Sequence, residues 1–171
     1  MFLLAALVFA SCTQGGEPEP TPDPSESRVY HDPAGWSAQV PAGWTVLPFE
    51  TSKGHASAAG TQISNTPMPP PEIWPGLPIQ TSGLVLPPDG VSLVIATDTD
   101  PRNVQAPPPS PPSPPLSLAD FAEGSSTGGG PTLSLLWFEV GGKLLLASIR
   151  TGPTADEADL AALVGSIRES D

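Results

Sequence analysis

The distribution of proline limits most strongly what this chain can fold into. Twenty-five of the 171 residues are prolines, and they concentrate in residues 13–27, 67–78 and 106–115. Proline has no backbone N–H, so it is excluded from helix interiors and from the inner strands of a sheet. The core must therefore come from a few apolar runs outside these segments, and the length predicts a single domain, residues 28–171.

The chain begins with an apolar run, residues 2–10, that is closed by Ser11 and Cys12. A helix needs about 20 residues to cross a bilayer, whereas this run has the length of a signal-peptide core. Residues 9–12 resemble the lipobox of bacterial lipoproteins. The resemblance implies that residues 1–11 are cleaved and that Cys12 carries the lipid (diacylglycerol and palmitate) that holds the protein at the outer face of the cell membrane. An ordinary secretory peptide with an incidental cysteine is the alternative.

Cys12 is the only cysteine, so no disulfide bond can form within the chain. Residues 13–27 that follow it contain neither aliphatic nor aromatic side chains. Their alternating prolines and acids favour an extended, self-repelling chain that buries nothing. We therefore expect residues 12–27 to be a disordered tether between the lipid anchor and the domain.

The net charge of -12, from 18 acidic and 6 basic residues, excludes a nucleic-acid-binding function. Phosphate recognition depends on Lys and Arg, and no basic patch exists in this sequence. An acidic surface attracts cations or basic partners, although it also simply keeps an exported protein soluble. The scarcity of Lys and Asn beside abundant Ala, Pro and Gly is typical of a GC-rich genome, such as an actinobacterial one.

The sequence Pro-Ala-Gly-Trp occurs twice, at residues 33–36 and 41–44. Pro and Gly at this spacing favour turns. We predict two consecutive turns that set paired strands over residues 36–40 and 44–49, with Trp36 as one anchor of the core and Trp44 as the other. Aromatic ledges that bind a ligand are the alternative.

Further β-patterns predict a strand over residues 57–66 and another over residues 90–97, with Val91, Leu93 and Ile95 on one face. Residues 132–140 and 143–150 are predicted to form a hairpin, joined by Gly141 and Gly142. A two-residue turn places Val140 opposite Lys143, Phe138 opposite Leu145 and Trp137 opposite Leu146. Both faces of this hairpin are largely apolar. We therefore expect it inside the sheet, covered on each side.

Two helices are predicted. Ser117 and Asp120 have the spacing of a capping box, which begins a short helix that Gly124 ends. Thr154 and Glu157 form a second capping box at the start of a C-terminal helix. That helix carries an apolar stripe at helical spacing that must pack on the sheet, formed by Leu160, Leu163, Val164 and Ile167.

Residues 30–44, 117–123 and 160–168 resemble bacterial lipoproteins with a PsbP-like domain, the superfamily of extrinsic photosystem subunits. The resemblance implies an α+β fold in which an antiparallel sheet lies between helices, here with long proline-rich loops. It also implies a mostly non-enzymatic domain that docks to protein partners. The matching segments contain no binding residue of that superfamily.

The motifs that suggest chemistry are weak. Residues 124–128 read Gly-x-Ser-x-Gly around Ser126, but a helix leads in and glycines follow, which favours a loop over a nucleophile elbow. His31 and His55 lack metal-ligand spacing. Residues 98–100 begin like a calcium loop without its glycine, and we interpret them as an acidic loop. We predict no metal and no cofactor.

The sequence therefore predicts a membrane-anchored extracytoplasmic lipoprotein whose domain is a non-catalytic protein-binding or scaffolding module. Its partner is an unknown extracytoplasmic protein. The expected contact surface consists of Pro107, Pro108, Pro109, Pro111, Pro112 and Trp74. Two alternatives remain: a carrier of a small apolar ligand or lipid with a pocket between sheet and helix, and a hydrolase that uses Ser126 or His31.

Overall fold

A computed structural model describes residues 26–53, 56–69, 71, 86–97, 107–124 and 132–170. Over these ranges the fold is α+β, as predicted, with nine strands and one α-helix. The strands are β1 (Arg28–His31), β2 (Trp36–Val40), β3 (Thr45–Lys53), β4 (Ala56–Ser64), β5 (Val91–Thr97), β6 (Ala122–Gly124), β7 (Thr132–Val140), β8 (Lys143–Thr151) and β9 (Arg168–Glu169), and the helix is α1 (Glu157–Gly165).

The strands form two antiparallel sheets, one with the order β1-β2-β9 and one with the order β3-β4-β5-β8-β7-β6. The strands predicted at residues 57–66 and 90–97 are confirmed as β4 and β5. Pro48 lies within β3. That position is permitted because β3 is an edge strand, which pairs with a neighbour on one side only.

One hydrophobic cluster joins the two sheets and the helix. The larger sheet contributes Ile63, Leu93 and Ile95, all of them fully buried. Trp36 and Val40 of β2 meet them, and α1 packs on β2 through its apolar stripe. Three residues of the predicted stripe, Leu160, Leu163 and Val164, lie on α1 and are buried in this cluster, as predicted. Ile167 is buried there too, but the helix ends at Gly165, so it lies beyond the helix and not on its stripe. No helix in the described part of the chain is long and apolar enough to cross a membrane.

The β7–β8 hairpin has the predicted register. Val140 pairs with Lys143, Phe138 with Leu145 and Trp137 with Leu146. Gly141 and Gly142 have φ values of 55° and 74°, the left-handed conformations that a two-residue hairpin turn requires. The predicted cover on both faces holds for residues 145–149 of β8 and only in part for β7, where Glu139 is exposed.

The pairing predicted around the two Pro-Ala-Gly-Trp turns is wrong. The first turn joins β1 to β2, but the second carries the chain from β2 in the small sheet to β3 in the large one. Both sides of β2 are already occupied, by β1 and β9, so β3 has no free edge there. Trp36 and Trp44 are 1% and 7% exposed, so both are core anchors and neither forms a ledge.

The C-terminal helix begins later than predicted. Its N-cap is Asp156, whose Oδ1 accepts the Ala158 amide at 2.8 Å, and not Thr154. The Thr154 amide donates instead to the Pro88 carbonyl, and a turn at residues 152–155 delays the helix. Aspartate is as good an N-cap as threonine, so tertiary hydrogen bonds decide between them.

The predicted short helix is only a single 3-10 turn, Leu118–Asp120. Its capping contact is present, because the Ser117 amide donates to Asp120 Oδ2 at 2.7 Å. However, Gly124 does not end a helix: Ala122–Gly124 is β6, paired with residues 133–135 of β7. So short a helix is marginal alone, and pairing with β7 supplies the hydrogen bonds in its place.

Candidate functional site

A cleft of about 750 Å³ opens where the turn after β1 meets β3 and β4. Much of its wall is apolar, including Pro33, Pro48 and Phe49. Its polar side chains are Tyr30, Asp32, Glu50, Thr61, Thr97 and Lys143. Apolar walls with a few convergent polar groups are the general character of a small-molecule site.

The turn after β1 fixes the position of Asp32. The Asp32 amide donates to the Trp36 carbonyl at 2.8 Å, and its carbonyl accepts the Gly35 amide at 2.9 Å. Its side-chain Oδ1 accepts the Ala34 amide at 2.8 Å, which is the local bond of an Asx-turn. The sequence Asp-Pro-Ala-Gly thus turns the chain and buries the carboxylate at the same time, leaving it 9% exposed.

The second carboxylate oxygen of Asp32, Oδ2, accepts hydrogen bonds from two hydroxyl groups. Thr61 Oγ1 of β4 donates to Oδ2 at 2.6 Å, and Tyr30 Oη of β1 donates to the same atom at 3.2 Å. Tyr30 Oη also lies 3.1 Å from Thr61 Oγ1. The rings of Tyr30 and Trp36 pack edge to face with their centroids 5.7 Å apart, which holds the Tyr30 ring in place. We call Tyr30, Asp32 and Thr61 the carboxylate network.

Lys143 and Glu50 add charges to the walls of the cleft. Lys143 begins β8, and its Nζ donates to the Ala34 carbonyl at 2.8 Å, which ties the β7–β8 turn to the turn after β1. Glu50 is an exposed residue of the edge strand β3. The described walls thus hold two carboxylates and one ammonium group.

Burial raises the pKa of Tyr30 above its ordinary value, and the negative charge of Asp32 acts in the same direction, whereas the hydrogen bond with Thr61 opposes them. Tyr30 is the only tyrosine of the chain, so its ionisation is read directly from phenolate absorbance. We expect a midpoint above pH ~10 in the folded protein and near pH ~10 in urea.

The sign of the linked stability change follows from this shift. The fold favours the neutral phenol, so the stabilisation is complete below the unfolded pKa of about 10 and is lost as the pH rises through the higher folded pKa. Urea denaturation at increasing pH measures this loss. A folded midpoint equal to that in urea would contradict the assigned environment of Tyr30.

The described part of the proline segment lies against the edge of β7. Because β6 pairs only with residues 133–135, none of the described strands pairs with the edge of β7 beyond them. The Glu139 amide donates to the Pro112 carbonyl at 2.9 Å, and Leu116 is buried in the core. Residues 107–117 thus cover a strand edge, as native sheets commonly require.

Of the predicted contact residues, Pro108 and Pro109 are exposed, and the others that the structure describes, Pro107, Pro111 and Pro112, are half-buried. A second cleft of about 430 Å³ lies beside residues 113–115 and is also lined by Glu139, Gly141 and Arg168. Between α1 and β2, where the carrier alternative places a pocket, Leu163 and Val164 fill the space.

Several predicted site residues fall outside the described residues, namely Cys12, His55, Trp74, residues 98–100 and Ser126. His31 is described and is exposed at the end of β1, as expected for a surface residue. Within the described ranges, no three His, Cys, Asp or Glu side chains lie close enough to hold a metal ion.

Sequence reasoning missed the carboxylate network. One signal was available: Tyr30 and Asp32 stand two residues apart at a strand end, so both side chains point to the same face. Nothing in the sequence around Thr61 links it to Asp32, 29 positions earlier, or to Tyr30, 31 positions earlier. Their proximity depends on how the two sheets pack.

Comparison of the chain with protein-family models and with curated proteins finds no match.

Proposed function

We propose that this chain is an extracytoplasmic lipoprotein, anchored through Cys12, whose domain is a non-catalytic protein-binding module. Its contact surface is the proline ridge, which we define as residues 107–112. One observation carries the proposal: the Glu139 amide holds the Pro112 carbonyl at 2.9 Å while Pro108 and Pro109 stay exposed. The segment is thus fixed to the domain at one end and presents two adjacent proline rings to solvent.

A ridge of this kind loses little conformational freedom when it binds, because proline fixes φ. Binding surfaces that are ordered beforehand avoid much of the entropy that association costs. The partner that suits it is a protein with an aromatic-lined groove, because such grooves dock proline rings that stand at regular spacing. The spacing Pro-x-x-Pro occurs within the ridge, from Pro108 to Pro111 and from Pro109 to Pro112.

The proposal includes a relationship to PsbP-like lipoproteins. The position of the resembling segments supports it: residues 30–44 contain β2, and residues 160–168 contain most of α1 and the start of β9. β2 pairs with β9, and α1 packs on β2. Two of the three stretches on which the resemblance rests are therefore neighbours in the fold, as expected of a shared packing unit.

Replacing Pro108 and Pro109 together by serine is expected to reduce partner recovery about tenfold, a loss of about 1.4 kcal/mol. Serine keeps the backbone carbonyls but restores freedom of φ and removes both rings. The measurement is chemical crosslinking on intact cells, followed by quantitative mass spectrometry of the proteins attached to each variant.

Pro87 and Pro88 provide the matched control, because they are also adjacent, exposed prolines. Their replacement by serine keeps the carbonyls that accept from Gly90 and Thr154, and partner recovery should stay at the wild-type level. If both double variants recover the same proteins in the same amounts, the ridge is not the contact surface.

A further inference from the structure

The protons of the carboxylate network all point inward. The Thr61 and Tyr30 hydroxyls both have Asp32 Oδ2 as an acceptor, and the two hydroxyl oxygens lie 3.1 Å apart, so in every arrangement of the protons the acceptors lie inside the network. Each hydroxyl group has one proton and two lone pairs, so both keep free lone pairs after these bonds form. The network therefore offers the cleft acceptors only, and a group that binds to it must bring its own protons.

Asp32 is a buried carboxylate whose charge is met by neutral donors. Its partners are the Ala34 amide and two hydroxyl groups, and no described cation pairs with it. Lys143 is the ammonium group in the wall of the cleft, and its Nζ donates to the Ala34 carbonyl. Because burial strengthens electrostatic interactions, an uncompensated carboxylate at this depth favours a cationic ligand.

The remainder of the cleft suits an organic body better than a bare ion. Pro33, Pro48 and Phe49 line it, and its volume of about 750 Å³ exceeds what an inorganic cation occupies. The ring of Tyr30 can also attract a cation through its face. Glu50 adds a second carboxylate, and the net charge of -12 attracts cations at long range.

We propose that this cleft binds a small organic cation, with its ammonium group on the carboxylate network and its apolar body against Pro33 and Pro48. An ammonium group on an aliphatic or aromatic body supplies up to three protons, which match the oxygens of Tyr30, Thr61 and Asp32. This site is separate from the proline ridge, so it stands or falls independently of the proposed function.

The test is calorimetric titration of the full chain, in a non-ionic detergent, with three probes that share a phenylethyl body: 2-phenylethylammonium, 2-phenylethanol and 3-phenylpropionate. We expect saturable binding of the ammonium probe, with a Kd at least about tenfold lower than that of the alcohol or the carboxylate. Equal affinity for the three probes, or no saturable binding of the ammonium probe, would overturn the proposal.

Variants locate the binding. Tyr30→Phe removes one acceptor and should raise the Kd of the ammonium probe about fivefold, and Glu50→Gln should raise it about threefold. Asp89→Asn is the matched control, since Asp89 is exposed outside the cleft lining and its removal changes the net charge equally. Near-ultraviolet circular dichroism confirms that each variant is folded. If Tyr30→Phe and Glu50→Gln bind the probe like wild type, the ligand lies elsewhere and the proposal fails.

Discussion

Gly152→Ala is expected to lower the free energy of unfolding by about 3 kcal/mol, the upper part of the range for overpacking. A Cβ at this position would lie 2.3 Å from the Pro87 and Pro88 carbonyl oxygens and 2.6 Å from the Pro88 carbonyl carbon. All of these are backbone atoms, so no side chain can turn away to make room. The Gly152 amide also donates to the Gly90 carbonyl at 2.8 Å. This hydrogen bond must lengthen if the added methyl group pushes Gly152 away from residues 87–90.

Urea denaturation measures the effect as a lower midpoint at an unchanged slope. Gly43→Ala is the control, because Gly43 has a φ of +79° but no atom within 4 Å of the place that an alanine methyl group would take. Gly43→Ala should lower the free energy of unfolding only by the backbone strain, about 1 kcal/mol. Equal losses in the two variants would mean that the close approach of residues 87–88 to Gly152 does not hold in solution.

Cys12→Ser is expected to abolish the lipid-modified mature chain completely. The proposed anchor is a thioether to a diacylglycerol, which a serine hydroxyl cannot form, and cleavage before residue 12 follows acylation in lipoproteins. The variant should therefore keep residues 1–11 and show no lipid mass. Two acyl chains give stable membrane attachment, whereas a single chain binds only marginally. Intact-mass analysis of the membrane fraction provides the measurement.

Ser11→Ala is the matched control, because it keeps a small residue before the cysteine and leaves the thiol in place. It should be acylated and cleaved like the wild type. Should Cys12→Ser be cleaved at the same bond as the wild type and released in equal amount, residues 1–11 are an ordinary secretory peptide and Cys12 is incidental. That result would contradict the proposed membrane anchoring, but it would not bear on the proposal that the proline ridge binds a protein.

The parts of the fold that follow from local chemistry are the parts that the sequence predicts. Gly141 and Gly142 allow a two-residue turn, and such a turn fixes the register of the whole β7–β8 hairpin. The apolar stripe of α1 is equally local, since residues three and four apart share one face of a helix. In both cases the information lies within about 20 residues of sequence.

The errors concern competition between distant partners. Thr154 and Asp156 are both suitable N-caps, and the choice is made by the Pro88 carbonyl, more than 60 residues away. The strand β9 has only two residues, too few for a pattern, and exists because β2 offers it an edge. That pairing in turn keeps β3 away from β2, which the two Pro-Ala-Gly-Trp turns gave no reason to expect.

The proposed contact surface stays a prediction, and the carboxylate network was not predicted. The proline ridge follows from composition, because consecutive prolines predict an extended surface segment wherever they lie. The hydrogen bond between Glu139 and Pro112 that fixes the ridge has no sequence signal. The carboxylate network was missed altogether, since each of its three residues is common in a strand or a turn, and only the packing of the two sheets brings Thr61 to Asp32.

The strand β1 has mechanical importance. It is four residues long, pairs with β2 as its one neighbour among the described strands, and is the first strand of the described part of the chain. If Cys12 is held by a membrane and the domain by a partner, tension between the two enters at Arg28 and peels β1 from its open end, one hydrogen-bonded pair at a time. Tyr30 is two residues further along, so a pulling force on β1 would distort the carboxylate network, which links β1 to Thr61 of the large sheet.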